Sequence, residues 1–324
     1  MMNQNFKNYE APKLLFTGHL QTIYPALLRK IQLIKPYIHE RISTSDADFL
    51  DLFWLKQKSN QLVIISHGME GNANRAYIKG MANIHYNHGF DVLAWNYRGC
   101  STQINNTKKM YHLGATEDFM CVLSHASRNY DQIYLVGFSL GANLTLKFLG
   151  EPGVPNKVKK ACVFAAPLDL KSVSINLSTT KNYLYELRFI NSLKKKATAK
   201  YKQFPGLFDL KKLPKIKTIY EFDNILTAPL SGFKDAEDYY TKCSSKHFLN
   251  HIQIPTFIIN ALNDPFLTPE ILNIHPANQS KSVCYHITKE GGHIGYPSFN
   301  TTYYWSEQFA LNFFKNNIDL NFKL

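Results

Sequence analysis

The sequence predicts an α/β fold: a mostly parallel central sheet with helices on both faces and an inserted helical cap. Three observations carry this. Short apolar or β-branched runs alternate with helix-like stretches from Phe49 to Ala165 and again from Thr256, as crossover connections in a parallel sheet require. From Leu168 to about His251 the strand signals stop and the chain turns polar, basic and aromatic. The pentapeptide Gly137-Phe138-Ser139-Leu140-Gly141 stands where a strand-like run meets a helix-like one.

The elements follow in order. Residues 1–45 read as an N-terminal extension packed on the core. Within it, His19 to Lys35 is a cationic amphipathic segment, with Ile23, Leu27, Ile31 and Ile34 set against Arg29, Lys30, Gln32 and Lys35. It is expected to be a helix docked on the protein's own core rather than an anchor on a membrane surface. Phe49 to Leu55 is a strand, and Leu62-Val63-Ile64-Ile65 is short and wholly apolar, as strands covered on both faces are. A helix from Arg75 to His88 ends at Gly89. Phe90 to Trp95 is the next strand, Thr116 to Arg128 a helix, Gln132 to Val136 a strand, and Ala161 to Ala165 another. After the insertion come strands at Thr256–Ile259 and Val283–Ile287 and a last helix near Tyr303 to Phe314. The core is thus expected to comprise residues 46–167 and 252–324. Residues 168–251 form the cap, with its lysines pointing outward.

Composition narrows the class. The chain has 324 residues, of which 45% are hydrophobic and 14% aromatic, enough for an extended core and against disorder. Net charge is +13, with the densest basic clusters at Lys194-Lys195-Lys196 and Lys211-Lys212. Such charge leaves peripheral association with an anionic membrane open. The aromatic residues lack the interleaving of a nucleic-acid platform, so nucleic acid is not expected as a partner. Five scattered cysteines form no C-x-x-C pair and fit a reducing cytoplasm; Cys162 and Cys284 read as inert core thiols. No apolar run reaches the ~18 residues of a membrane span, and Lys7, Glu10, Lys13 and His19 interrupt the N-terminus in a way that does not fit a signal peptide.

The pentapeptide carries the chemistry. A chain of this length meets G-x-S-x-G by chance roughly one time in ten to twenty. The flanking strand and helix and the matching downstream partners are what give the motif weight. Glycine on both sides lets strand and helix approach closely and lets Ser139 adopt a strained backbone that presents its hydroxyl. A serine hydroxyl needs a base to take its proton, and the base needs a carboxylate to fix its tautomer. His293, in Gly291-Gly292-His293-Ile294-Gly295 after a late strand, is the expected base in preference to His247, His251, His275 and His286. Asp264, just past the Ile258-Ile259 strand, is the expected acid, and Asp169, after Val163-Phe164, is the alternative. An oxyanion hole is expected from the backbone N–H groups of Leu140 and Met69, the latter in the loop His67-Gly68-Met69. His67 is expected to brace that loop. His85 with His88, or His247 with His251, lack a third ligand placed by spacing, so no metal is expected; no organic cofactor is expected either.

These residues resemble the YheT-like branch of the α/β-hydrolase fold family, over nearly the whole chain. The resemblance rests on Gly18-His19-Leu20-Gln21-Thr22-Ile23-Tyr24-Pro25, His67-Gly68-Met69-Glu70-Gly71, Arg98-Gly99-Cys100-Ser101, Gly137 to Asn143, Phe222-Asp223, Gly232 to Ala236, Asn263-Asp264-Pro265 and Gly291-Gly292-His293. It implies Ser139, Asp264 and His293 as nucleophile, orienting acid and general base, with acyl esters of lipid-like or short alcohols as substrates. Thr102, Leu113 and Ala115 depart from the family pattern beside the expected pocket, which bears on substrate preference. An alcohol acyltransferase would use the same residues. A catalytically idle basic protein binding anionic lipid or RNA is the alternative of a different class. The sequence leaves acyl length, alcohol and oligomeric state open.

Overall fold

A computed structural model describes residues 7–273 and 280–320. Among the described residues eight strands form one sheet: β1 (Ile38–Ser43), β2 (Phe49–Leu55), β3 (Gln61–Ser66), β4 (Asp91–Asn96), β5 (Gln132–Phe138), β6 (Val158–Phe164), β7 (Thr256–Ala261) and β8 (Val283–Thr288). Their spatial order is β1-β2-β4-β3-β5-β6-β7-β8. β3 to β8 pair in parallel, whereas β2 runs antiparallel to both its neighbours.

β3 shows why the wholly apolar run belongs in the middle. Leu62 and Ile64 enter one core beneath the sheet, and Val63 and Ile65 enter the other. Because side chains alternate faces, a strand covered on both sides needs apolar residues throughout. The helices are α1 (Gly18–Leu28), α2 (Ala76–Asn87), α3 (Thr116–Ala126), α4 (Leu140–Gly150), α5 (Leu170–Leu177), α6 (Tyr183–Gln203), α7 (Ala236–Cys243) and α8 (Trp305–Phe314), with shorter turns between them. α2 and α8 supply Ile78, Met81, Phe309 and Phe313 to one core; α3 and α4 supply Phe119, Val122, Leu144 and Phe148 to the other.

The segment between β6 and β7 carries α5 to α7 and a third apolar cluster, in which Ile190, Leu193 and Phe222 meet Phe266 of the sheet-end loop. β1 was not foreseen. It is an edge strand with only Ile42 buried, and its Arg41 and His39 pair with Asp51 of β2 at 2.7 and 2.9 Å. Charged residues on an edge are what keep it from pairing with another chain, and they also hide the strand from a hydrophobic pattern.

Two expectations need correction. α1 stops at Leu28, and the face it buries is the polar one: Gly18, Gln21 and Thr22 are inward, whereas Leu20, Ile23 and Leu27 are exposed. Its buried side chains are committed to hydrogen bonds described below. The lysines of α6 do not all point outward either. The Lys200 ammonium donates to the Asn105 and Thr107 carbonyls at 2.8 and 2.7 Å, and Lys196 turns in to Glu70. Buried acceptors and a buried carboxylate draw these two side chains in. His275 lies outside the described residues.

Candidate active site

β5 ends in a turn that its glycines alone permit. A Cβ on Gly137 would lie 2.5 Å from the Gly141 carbonyl oxygen, and one on Gly141 would lie 2.3 Å from that of Ser66. Between them Ser139 has φ 51° and ψ −115°, a left-handed conformation unusual for a side-chain-bearing residue. The turn leads directly into α4 and lifts the hydroxyl off the sheet.

There the structure brings the three expected side chains together. Ser139 Oγ lies 2.9 Å from His293 Nε2, and His293 Nδ1 lies 2.8 Å from Asp264 Oδ2. With the Nδ1 proton held by Asp264, Nε2 is left to accept the Ser139 hydroxyl. Asp264 is buried, and its other oxygen accepts the Phe266 N–H at 2.8 Å. The Phe266 ring packs on His293 with centroids 4.2 Å apart. Asp169 lies elsewhere: it caps α5 and pairs with Lys246. His286 stands within β8 and is half-buried.

Met69 and Leu140 line the same cavity as Ser139, and among the described residues the backbone N–H of neither has a protein acceptor. His67 braces the Met69 loop. Its ring Nδ1 donates to the Gly68 carbonyl at 2.7 Å, its Nε2 accepts the Tyr97 N–H at 3.4 Å, and burial pulls its pKa down to about 3. Such a ring stays neutral and cannot double as a second cation.

Sequence reasoning missed what holds these groups. The buried side chains of α1 serve the His293 loop: Thr22 Oγ1 accepts the His293 N–H at 2.8 Å, and Gln21 Oε1 accepts the Gly291 N–H at 2.7 Å. Gln21 Oε1 also accepts from Asn263 Nδ2 at 2.9 Å, and Asn263 Oδ1 accepts the Gly292 N–H at 3.0 Å. The only sequence signal was the Gly18-to-Pro25 motif, which named no partner. Beside Met69, Glu70 accepts from Tyr111 at 2.6 Å and Lys196 at 2.8 Å, and also from Ser192. Ser192 and Lys196 belong to α6, so a latch joins the Met69 loop to the insertion.

The cavity over Ser139 is narrow, about 50 Å³. Leu113, Leu170, Val173, Leu177, Phe189 and Ile219 make it chiefly apolar. Leu113 is one of the positions that depart from the family pattern. Asp223 also faces this space; Tyr240 donates to it at 2.7 Å, and burial pushes its carboxyl up to about 6. Among the described residues no group of three or more His, Cys, Asp or Glu side chains is arranged to hold a metal ion, and no helix is long and apolar enough to cross a membrane.

Comparison with known proteins places this geometry in a family. The family model for the alpha/beta hydrolase fold matches residues 61–298. The chain is 33% identical over 286 residues to the Escherichia coli (strain K12) protein named "Putative esterase YheT", covering 86% of this chain and 84% of that one. It is 27% identical to "Phospholipase ABHD3" of Bos taurus, over 83% of this chain and 69% of that one. Among solved structures, the Pyrococcus furiosus esterase Pf2001 superposes with a TM-score of 0.57 at 16% identity, covering 86% of this chain and 92% of that one. The chain belongs to the α/β hydrolase fold family, in its YheT-like branch.

Proposed function

We propose that the protein is a carboxylic ester hydrolase that cleaves acyl esters through an acyl-enzyme on Ser139. The observation that carries this is the continuous hydrogen-bonded chain from Ser139 through His293 to Asp264, opening on an apolar cavity. His293 Nε2 takes the hydroxyl proton as Ser139 Oγ bonds to the ester carbonyl carbon, and Asp264 keeps the imidazole oriented. The negative charge on the former carbonyl oxygen meets the Met69 and Leu140 N–H groups. Collapse breaks the bond to the alcohol, which leaves with the proton from His293. Water, deprotonated by the same imidazole, then releases the acid and restores Ser139.

Residues 168–251 act in this reading as a cap over a core of 46–167 and 252–324, with 1–45 as an extension that supports the His293 loop. The cap side chains take the acyl group. The five free cysteines suit a reducing, cytoplasmic setting. No cofactor enters any step.

Fluorophosphonate labelling followed by mass spectrometry tests the nucleophile: the adduct is expected on Ser139, and Ser139→Ala should lower turnover by roughly 10⁴-fold or more with the fold intact. An adduct on another serine, or an active Ser139→Ala protein, rejects the assignment. Across p-nitrophenyl esters, kcat/KM should climb from acetate by up to about 0.8 kcal/mol per added methylene until the cavity is full.

A further inference from the structure

Among the described residues, nothing covers the apolar face of the inverted helix α1. Phe16 and Leu184 are each 76% exposed, and Leu262 and Ile175 are 57% and 55% exposed. Leu20 and Leu187 are exposed as well. These six side chains come from four separate segments, yet hydrogen bonds and ring contacts gather the segments around Asp264-Pro265-Phe266. Asn263 is bound to Gln21 of α1 at 2.9 Å; Asn176 of α5 donates to the Pro265 and Phe266 carbonyls at 3.0 and 2.9 Å. Tyr185 of α6 packs on Phe266 at 4.8 Å, and His19 of α1 stacks on Tyr185 at 5.7 Å. The segments that bear the exposed residues therefore gather around the loop that carries the acid of the site, not around a remote face. A soluble chain gains nothing by keeping large apolar groups together in water.

Charge identifies the occupant. Residues 11–39 contain Lys13, Arg29, Lys30 and Lys35 and no Asp or Glu. Residues 170–203 contain eight Lys or Arg and one acid, Glu186, which is buried. Lys13, Lys30, Lys181, Arg188 and Lys195 are exposed and, among the described residues, have no acidic partner. On α6, Leu184, Arg188 and Lys195 follow one helical stripe, so apolar and cationic groups share a face. A second copy of the chain would bring the same positive charge to the contact. An RNA backbone would satisfy the lysines but leave Leu184, Leu187 and Leu262 in water.

We propose that this face docks the protein on an anionic lipid bilayer, with Phe16 and Leu184 entering the interface and the lysines and arginine meeting lipid phosphates. Both halves of that recognition are needed, since interfacial binding adds apolar insertion to electrostatic attraction. Docking would bring α5, α6 and the Phe266 loop, which line the Ser139 cavity, to the bilayer surface, where lipid-borne esters lie. The proposal rests on the surface itself; the esterase reading adds only the reason for the orientation.

Sedimentation with extruded vesicles tests it without reading turnover. The wild-type protein should bind phosphatidylcholine–phosphatidylglycerol vesicles and lose most of that binding on pure phosphatidylcholine or at high salt. Phe16→Ser with Leu184→Ser should weaken partitioning by at least about tenfold. Lys181→Glu with Lys195→Glu, a second variant of exposed positions, should do the same by the electrostatic route. Both variants should hydrolyse a short soluble ester like the wild type. Equal binding by wild type and the Phe16/Leu184 variant, equal binding to neutral and anionic vesicles, or binding to single-stranded RNA in preference to vesicles each overturns the proposal. So does a dimer in gel filtration that the Phe16/Leu184 variant converts to monomer, because the face is then an interface between copies. An inactive protein that still shows the expected vesicle binding would reject the esterase reading and leave this one standing.

Discussion

Ser139 is enclosed by two walls held in different ways. On the core wall, His293 and its loop are fixed by neutral side chains, Thr22, Gln21 and Asn263, each receiving a backbone N–H from residues 291–293. On the insertion wall, the contacts are charged: Lys196 reaches Glu70, and Asp223 is buried against Tyr240. Neutral hydrogen bonds respond little to pH or salt, and several of them lock one geometry. A charged latch is lost when either partner changes its surroundings, and a buried carboxylate changes its charge with pH. The contrast predicts that the first wall keeps its geometry across pH and salt and that the second responds to both.

Asp264→Asn should give the largest effect among tests of the fixed wall. It retains the shape but reverses the tautomer that His293 needs, and turnover should fall by roughly 10³- to 10⁴-fold, while Asp169→Asn leaves turnover within about twofold. Steady-state kinetics on a soluble ester checks the pair. The opposite ranking would move the acid to the insertion wall and undo the contrast.

Gln21→Leu tests whether α1 belongs to the frame. It strands the Gly291 N–H and the Asn263 amide without an acceptor, at about 1–3 kcal/mol. We expect kcat to fall about 10- to 100-fold with KM nearly unchanged, since a displaced imidazole impairs the reaction and not substrate binding. Gln21→Glu keeps the acceptor oxygen and should recover part of kcat. A change in thermal stability alone, with kcat untouched, would make α1 mere packing.

Lys196→Met should have a smaller effect, of another kind. It leaves Glu70 largely buried without its cation beside the Met69 amide, lowering stability by about 2 kcal/mol and kcat/KM by about tenfold. Moderate salt should narrow the difference between variant and wild type, whereas it should leave the Gln21→Leu defect unchanged. A salt-independent defect would place Lys196 on the fixed wall.

The same contrast explains what was legible in the sequence. The turn at Ser139 could be read because close approach demands Gly137 and Gly141, so the constraint leaves its mark in residue identity. That Asp264 and His293 would lie beside Ser139 could be read because each follows an apolar strand run. α1 could not: periodicity reveals which face is apolar, and here the polar face is buried. β1 was hidden because an exposed edge needs Glu40 and Arg41 more than it needs apolar residues. Lys196 and Lys200 looked like solvated charges because nothing local in a lysine run shows which members find buried acceptors.

Asp223→Asn offers the gentlest test, and it acts through stability alone. Burial raises the Asp223 carboxyl from its ordinary 3.8 to about 6, so the folded protein holds a proton that the unfolded chain has already released across that interval. Where the folded state binds more protons, stability falls as pH rises, so the cost is absent below about pH 4, grows between 4 and 6, and is constant above. Two pH units correspond to on the order of 3 kcal/mol. Asparagine bears no charge at any of these pH values and can still accept the Tyr240 hydroxyl. The variant should therefore match the wild type or fall slightly below it at pH 4 and exceed it at pH 7, as read by urea unfolding at the two pH values. Hydrolysis of a short soluble ester should change little, because Asp223 takes no part in moving the Ser139 proton. If the stability difference does not vary with pH, a cation or donor compensates the carboxylate in the folded protein, and the insertion wall is as fixed as the core.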